Sequence, residues 1–212
     1  MALMRFIERM LEHPRIYAMS QAPLVEAKFA LIKPHLRCHN VRRVLDVGCG
    51  PGTNATRFPG AMYVGLDVNE RYLSFARAKY PGHFIQADLQ TADLSSLGTF
   101  DTILVNSFLH HLPDDAVRHI LRQLRQLLAP DGTVHILELL RPNRGSLVGL
   151  IALVDRGRYA RRASEWCNLF EEHFELRVAE PHLFKAGLWS LLYLQGAGKS
   201  AGPTRTRGAQ PT

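Results

Sequence analysis

The chain has 212 residues, of which 46% are apolar and 21% charged, with a formal net charge of +7. That length suits one domain with a buried core, and the composition is ordinary for a globular protein, so fibrous, collagenous and disulfide-stapled classes are excluded. Arginine supplies most of the positive charge, but it is spread along the sequence and falls largely on helix faces and in the tail, which reads as solvated charge rather than a nucleic-acid track.

The longest strongly apolar run, SLVGLIALV, is too short to span a bilayer, so no transmembrane segment is expected. The opening MALMRFIERMLEHPR mixes charges into its apolar pattern and reads as an amphipathic helix, not a secretory signal. Cys38, Cys49 and Cys167 lie far apart, without pairing or metal spacing. No metal is expected, and a reducing, cytoplasmic compartment is.

Residues 1–40 read as an N-terminal helical lid containing Tyr17. Strands are predicted at RVLDV (43–47), MYVGLDV (62–68), HFIQADL (83–89), FDTILVN (100–106) and TVHILEL (133–139). Between them, NERYLSFARAKY reads as a helix capped by Asn69. In PDDAVRHILRQLRQLL, the residues Val117, Ile120, Leu121, Leu124, Leu127 and Leu128 follow the helical apolar period. Pro113 suits that helix's first turn, and Asp114 and Asp115 complement its positive end. Arg118, Arg122 and Arg125 fall off the stripe and read as solvated. APDGT reads as a turn into the next strand. Residues 141–163 read as an arginine-rich cap insertion. SEWCNLFEEHF reads as a helix capped by Ser164, and FELRVAEP and GLWSLLYLQ as closing strands. Residues 196–212 lack an apolar pattern and read as a disordered tail. Alternating strands and helices imply an α/β chain with a parallel sheet covered on both faces.

The most informative stretch is RVLDVGCGPGTNATRF, in which a strand runs into glycines at 48, 50 and 52. Glycine tolerates positive φ and lets a ligand approach the backbone closely. The spacing is G-x-G-x-G, not the G-x-G-x-x-G of dinucleotide sites, and no lysine follows as a phosphate loop requires. Asp46, just ahead of the glycines, would repel a pyrophosphate and suits a ligand with a cationic end, such as an amino-acid ammonium group.

LDVGCGPG resembles the first motif of class I S-adenosylmethionine-dependent methyltransferases, in particular the small-molecule type close to the ubiquinone and menaquinone-biosynthesis group. The resemblance continues in order from about 40 to 140 through VGLDVNE, QADL, FDTILVNSFLHHLPD and LLAPDGTVHILEL. It implies a Rossmann-like, doubly wound, seven-stranded sheet, mostly parallel with an antiparallel last strand, occupying residues 41–195. It also implies S-adenosyl-L-methionine as cofactor and S-adenosyl-L-homocysteine as product. The turn Gly48–Cys49–Gly50 with Gly52 would pack against the methionine part, with Cys49 contacting it through backbone. Asp67 would accept the ribose hydroxyls, and Val68 would lie against the adenine face. Asp88 would accept from the adenine amino group, with Leu89 completing that pocket. Asn106 would lie beneath the sulfonium, and Tyr17 would close over cofactor or acceptor.

Alignment and water exclusion do most of the work in methyl transfer, and a base is needed only when the acceptor must lose a proton. His110 and His111, just past the fourth strand, are the candidates, with Glu138, ending the fifth strand, as a second candidate base. The expected acceptor is a small molecule, acidic or lipophilic, methylated at oxygen, nitrogen or carbon, on a monomer or homodimer. Three alternatives stay open: a tRNA or rRNA methyltransferase, a cofactor-binding partner or cyclase that does not methylate, and a dinucleotide oxidoreductase. The sequence has NSFL where base-methylating enzymes carry N-P-P-[FYW].

Overall fold

The computed structural model describes residues 25–36, 41–141, 159–184 and 189–199. Tyr17, most of the predicted lid and residues 142–158 of the insertion lie outside them. Seven strands form one sheet: β1 (Arg43–Val47), β2 (Met62–Asp67), β3 (His83–Gln86), β4 (Phe100–Asn106), β5 (Leu128–Leu139), β6 (Phe174–Phe184) and β7 (Trp189–Gly198). Their order is β3-β2-β1-β4-β5-β7-β6. Neighbouring pairs among β1–β5 are parallel, whereas β7 runs antiparallel to both β5 and β6. The expected doubly wound sheet with an antiparallel last strand is therefore the one observed.

Each strand's alternation sorts its side chains between two apolar layers. Leu45, Val47, Ile103, Val105, Val134 and Ile136 face α3 (Asp114–Leu127) and α4 (Ala163–Glu171). Val44, Tyr63, Leu104 and Leu137 face α1 (residues 25–32) and α2 (Glu70–Lys79). The helix signals in the sequence operate largely as predicted. Asn69 accepts the Arg71 N–H at 3.0 Å and starts α2. Val117, Ile120, Leu121, Leu124 and Leu127 are the buried stripe of α3, which Pro113 caps from just outside.

Several predicted boundaries shift. Strands β2 and β3 stop at Asp67 and Gln86, freeing Val68, Asp88 and Leu89 for the loops. Leu128 belongs to β5, not to the helix. The APDGT segment is a bulge within that strand, because Phe100 pairs with Leu128 while Thr102 already pairs with Thr133. Helix α4 starts one residue before Ser164, and its cap is the Glu165 carboxylate accepting the Arg162 N–H at 2.7 Å. Arg118 and Arg125 are not merely solvated, since they bond Glu172 and the Lys199 carbonyl. The predicted tail also begins too early: residues 196–198 complete β7. Gly196 is required there, because a Cβ would meet the Glu175 carbonyl at 2.5 Å and the Phe170 ring at 2.6 Å.

Candidate cofactor site

Parallel register brings the carboxyl ends of five strands into one row. Asp67 pairs with Gln86 of β3, Val47 pairs with Leu66 of β2 and Val105 of β4, and Asn106 pairs with Leu137 of β5. The predicted residues Asp88, Asp67, the glycine turn, Asn106 and the two histidines thus gather along one edge of the sheet, the edge where open α/β folds hold ligands.

The glycine turn is a fixed structure. Gly48, Gly50 and Gly52 have φ of 70°, 54° and 75°. The N–H groups of Gly48 and Cys49 both donate to the Leu66 carbonyl, at 2.8 and 2.9 Å. The space left by the missing side chains at 48 and 52 is taken by protein. A Cβ on Gly48 would stand 2.9 Å from the Phe108 ring, and one on Gly52 would stand 2.7 Å from Phe84. Close approach here is thus partly demanded by the chain's own packing. Cys49 is buried with its sulfur against Gly65, and burial pushes its thiol well above the usual range, so it is not a nucleophile at neutral pH.

Asp67 is half-buried at the end of β2. It accepts the Gly50 N–H at 2.8 Å on one oxygen and the Asn69 N–H at 2.8 Å on the other. Each carboxylate oxygen has a second lone pair, so hydroxyl donors still find acceptors. Val68, next in sequence, is 67% exposed, an apolar face open beside that carboxylate. Asp88 is exposed and accepts the Gln90 N–H at 3.0 Å, while Leu89 is buried in the core. Asn106 is half-buried and accepts from the Ser107 hydroxyl at 3.2 Å.

Asp46 is fully buried. One carboxylate oxygen accepts from both Tyr63 Oη and Asn54 Nδ2, the latter at 3.0 Å. Its other oxygen, and the Asn54 side-chain oxygen, are buried without a partner. Desolvation raises the Asp46 pKa to about 6, against the opposing effect of the Tyr63 and Asn54 hydrogen bonds. Two orphaned acceptors beside the turn fit a donor-rich, cationic group. Neither Tyr63 nor Asn54 was selected from the sequence. Their only signal is a polar residue in the apolar run MYVGLD and an amide shortly after the glycines.

The two histidines separate. His110 is buried, with Nδ1 2.6 Å from Glu138 Oε2, whereas His111 is exposed, its ring 4.2 Å from that of His110. Glu138 is fully buried, and its other oxygen accepts the N–H groups of Phe108 at 3.0 Å and Leu109 at 2.8 Å. The segment after the turn differs from a full nucleotide-binding layout. Between Gly52 and Met62 there is only a 3-10 turn, Ala55–Arg57, because Pro59 and Gly60 follow at once and leave no room for a longer helix.

Residues 44–132 match the family described as a methyltransferase domain. That match takes in the glycine turn, Asp67, Asp88, Asn106 and the two histidines. An uncharacterized methyltransferase of Mycobacterium bovis is 34% identical over 129 residues, covering 58% of this chain and 64% of that protein. The chain thus spans just under two thirds of that relative's length. Trans-aconitate 2-methyltransferase of Methylobacterium radiotolerans is 39% identical over 100 residues, covering 45% of this chain and 37% of that protein. Among solved structures, the N-methyltransferase NodS of Bradyrhizobium japonicum, in complex with S-adenosyl-L-homocysteine, superposes with a TM-score of 0.64 at 20% identity, covering 82% of this chain and 87% of that one. A Pyrococcus horikoshii protein superposes at 0.70 with 15% identity, covering 92% of this chain and 99% of that one. Among the described residues, no helix is long and apolar enough to cross a membrane.

Proposed function

We propose that this chain transfers the methyl group of S-adenosyl-L-methionine to an oxygen, nitrogen or carbon of a small-molecule acceptor. The observation that carries the reading is the pairing at the sheet edge of a positive-φ glycine turn with two carboxylates in different states. Asp67 is locked to Gly50 yet open to hydroxyl donors, and Asp46 is buried with an unpartnered oxygen. A nucleoside with a cationic amino-acid arm satisfies both, whereas a pyrophosphate would face negative charge.

Bound there, the cofactor supplies an already activated methyl group. Asp67 holds the sugar, Val68 and Leu89 with Asp88 frame the base, and Asp46 with Asn54 balances the ammonium charge. Gly48, Cys49, Gly50 and Gly52 present backbone to the methionine arm, and Asn106 offers oxygen to the positive sulfur. His111, exposed beside that edge, is placed to take a proton from an acceptor that must lose one. His110 orients it from the buried side.

The acceptor is small and acidic or lipophilic. A relative named for trans-aconitate supports an acidic one. The described ends of the 141–163 segment lie against each other and against the turn after β4. Arg141 N–H donates to the Arg161 carbonyl and Tyr159 N–H to the His110 carbonyl, at 2.8 and 3.0 Å. The free Cys49 and Cys167 accord with a reducing cytoplasm.

Calorimetry with S-adenosyl-L-homocysteine, S-adenosyl-L-methionine and NAD tests the cofactor, with micromolar binding of the first two and none of the third expected. A screen of small carboxylic acids, phenols and amines with methyl-labelled cofactor tests the reaction. Label in bulk tRNA with steeply salt-dependent binding would transfer the reading to RNA. Binding without label in any acceptor would point to a protein that does not methylate.

A further inference from the structure

The turn after β4 is held in an unusual shape by a residue from the neighbouring strand. Ser107 has φ of 56°, in the left-handed region that a non-glycine residue adopts only under constraint. The next three residues are all tied to Glu138, some thirty positions further on. Phe108 N–H and Leu109 N–H reach Oε1, and His110 Nδ1 reaches Oε2 at 2.6 Å. Glu138 has no exposed surface, and among the described residues these donors replace its lost hydration. Phe108 in turn presses on the glycine turn, with its ring 2.9 Å from where a Cβ on Gly48 would stand.

We propose that Glu138 is a positioning residue of the methyl-transfer site: its carboxylate holds Phe108 against Gly48 and fixes the tautomer of His110. This rests on the methyltransferase reading above. The carboxylate accepts at both oxygens, so in the neutral ring Nδ1 of His110 carries the hydrogen and Nε2 is the acceptor. One side chain thereby sets the floor of the methionine arm and the proton inventory of the histidine pair. Both effects travel through contacts, and Glu138 itself touches neither cofactor nor acceptor. A carboxylate that merely caps the 3-10 turn Leu109–His111 would contribute stability without caring which nitrogen of His110 bears hydrogen.

Glu138→Gln separates the two roles. The amide oxygen still accepts the two backbone N–H groups, but the amide nitrogen now donates toward His110. The imidazole must then turn Nδ1 into the acceptor. Nitrogen-15 imidazole spectra at pH 8.5 are expected to show His110 protonated at Nδ1 in the wild type and at Nε2 in Glu138→Gln. Calorimetry with S-adenosyl-L-homocysteine is expected to give affinity within about threefold of wild type for Glu138→Gln. For Glu138→Ala, which releases Phe108 as well, the expected loss is about tenfold. An unchanged tautomer in Glu138→Gln, or wild-type affinity in a folded Glu138→Ala, overturns the proposal. If Glu138→Ala does not fold, the Glu138→Gln spectrum still decides. Absence of S-adenosyl-L-homocysteine binding in the wild type would instead sink the methyltransferase reading.

Discussion

Asp67 Oδ2 accepts the backbone N–H of Gly50 at 2.8 Å, so the carboxylate proposed to grip the ribose also fixes the turn proposed to hold the methionine arm. Replacing it removes hydroxyl acceptors and loosens the turn together. Asp67→Ala is expected to weaken S-adenosyl-L-homocysteine by about 30- to 100-fold, the scale of one or two hydrogen bonds to a charged group. Asp67→Asn, which keeps one acceptor oxygen, should fall between. Titration calorimetry reads both, and full affinity in Asp67→Ala would remove Asp67 from the site.

Asp46 makes a prediction of opposite signs for folding and binding. Its pKa is about 6 in the folded chain, against an ordinary value of 3.8, mainly because burial disfavours the charge. Between those values the folded state holds more protons than the unfolded one. Its contribution to stability is therefore fully present below pH 3.8, declines as pH rises through 6, and is lost above. Asp46→Asn removes that penalty, and denaturant unfolding at pH 7 is expected to show a gain of about 1–3 kcal/mol. The same variant loses the charge proposed to balance the ammonium group, so cofactor affinity should drop. In the wild type, affinity should fall below pH 6 as the carboxylate protonates. A variant that is neither more stable nor weaker in binding would contradict this account.

Gly48 carries two separable demands. Its φ of 70° is unfavourable for an L side chain, and the Phe108 ring occupies the Cβ position. Gly48→Ala is expected to cost about 2–4 kcal/mol in urea unfolding, combining left-handed strain with overpacking. Adding Phe108→Leu should recover the packing share and leave the strain. If the two substitutions prove additive, the contact is unimportant.

Arg161 closes the base of the segment after β5. Its side chain is 4% exposed. It bonds Asp114 at 2.7 Å, the carbonyls of Leu112 and Tyr159 at 2.8 and 3.0 Å, and lies over the Trp166 ring with 4.6 Å to the centroid. A lysine cannot reproduce that planar fork. Arg161→Lys is expected to lose about 2 kcal/mol, seen as a lower thermal midpoint, with a smaller change in S-adenosyl-L-homocysteine affinity. An unchanged midpoint would make the contacts incidental.

What could be read from the sequence was local. The runs at 43–47 and 100–106 match β1 and β4 because buried parallel strands are continuous apolar runs. Asn69 and the α3 stripe needed only near neighbours to be recognised. The glycine turn was legible because three positive-φ positions leave a mark in composition. The supports of the site were not. Asp46 finds Tyr63 on the neighbouring strand 17 positions on, Glu138 reaches back to residues 108–110, and Arg161 reaches Asp114 from 47 positions away. No periodicity encodes such partners. The glycine at 196 misled for the same reason: it was read as tail, whereas the Phe170 ring and the Glu175 carbonyl leave no space for a side chain.

The order in which the strands lie has a consequence for how the molecule is made. Strand β7, residues 189–198, comes after the other six described strands in the chain, yet it sits between β5 and β6. Until it emerges, β5 keeps an open outer edge and β6 has no partner, so the nascent chain exposes two unzipped rims that invite pairing with other molecules. The first five strands can assemble during synthesis, but closure of the sheet waits for β7. A premature stop before residue 189 would leave a species that holds the glycine turn intact and still precipitates.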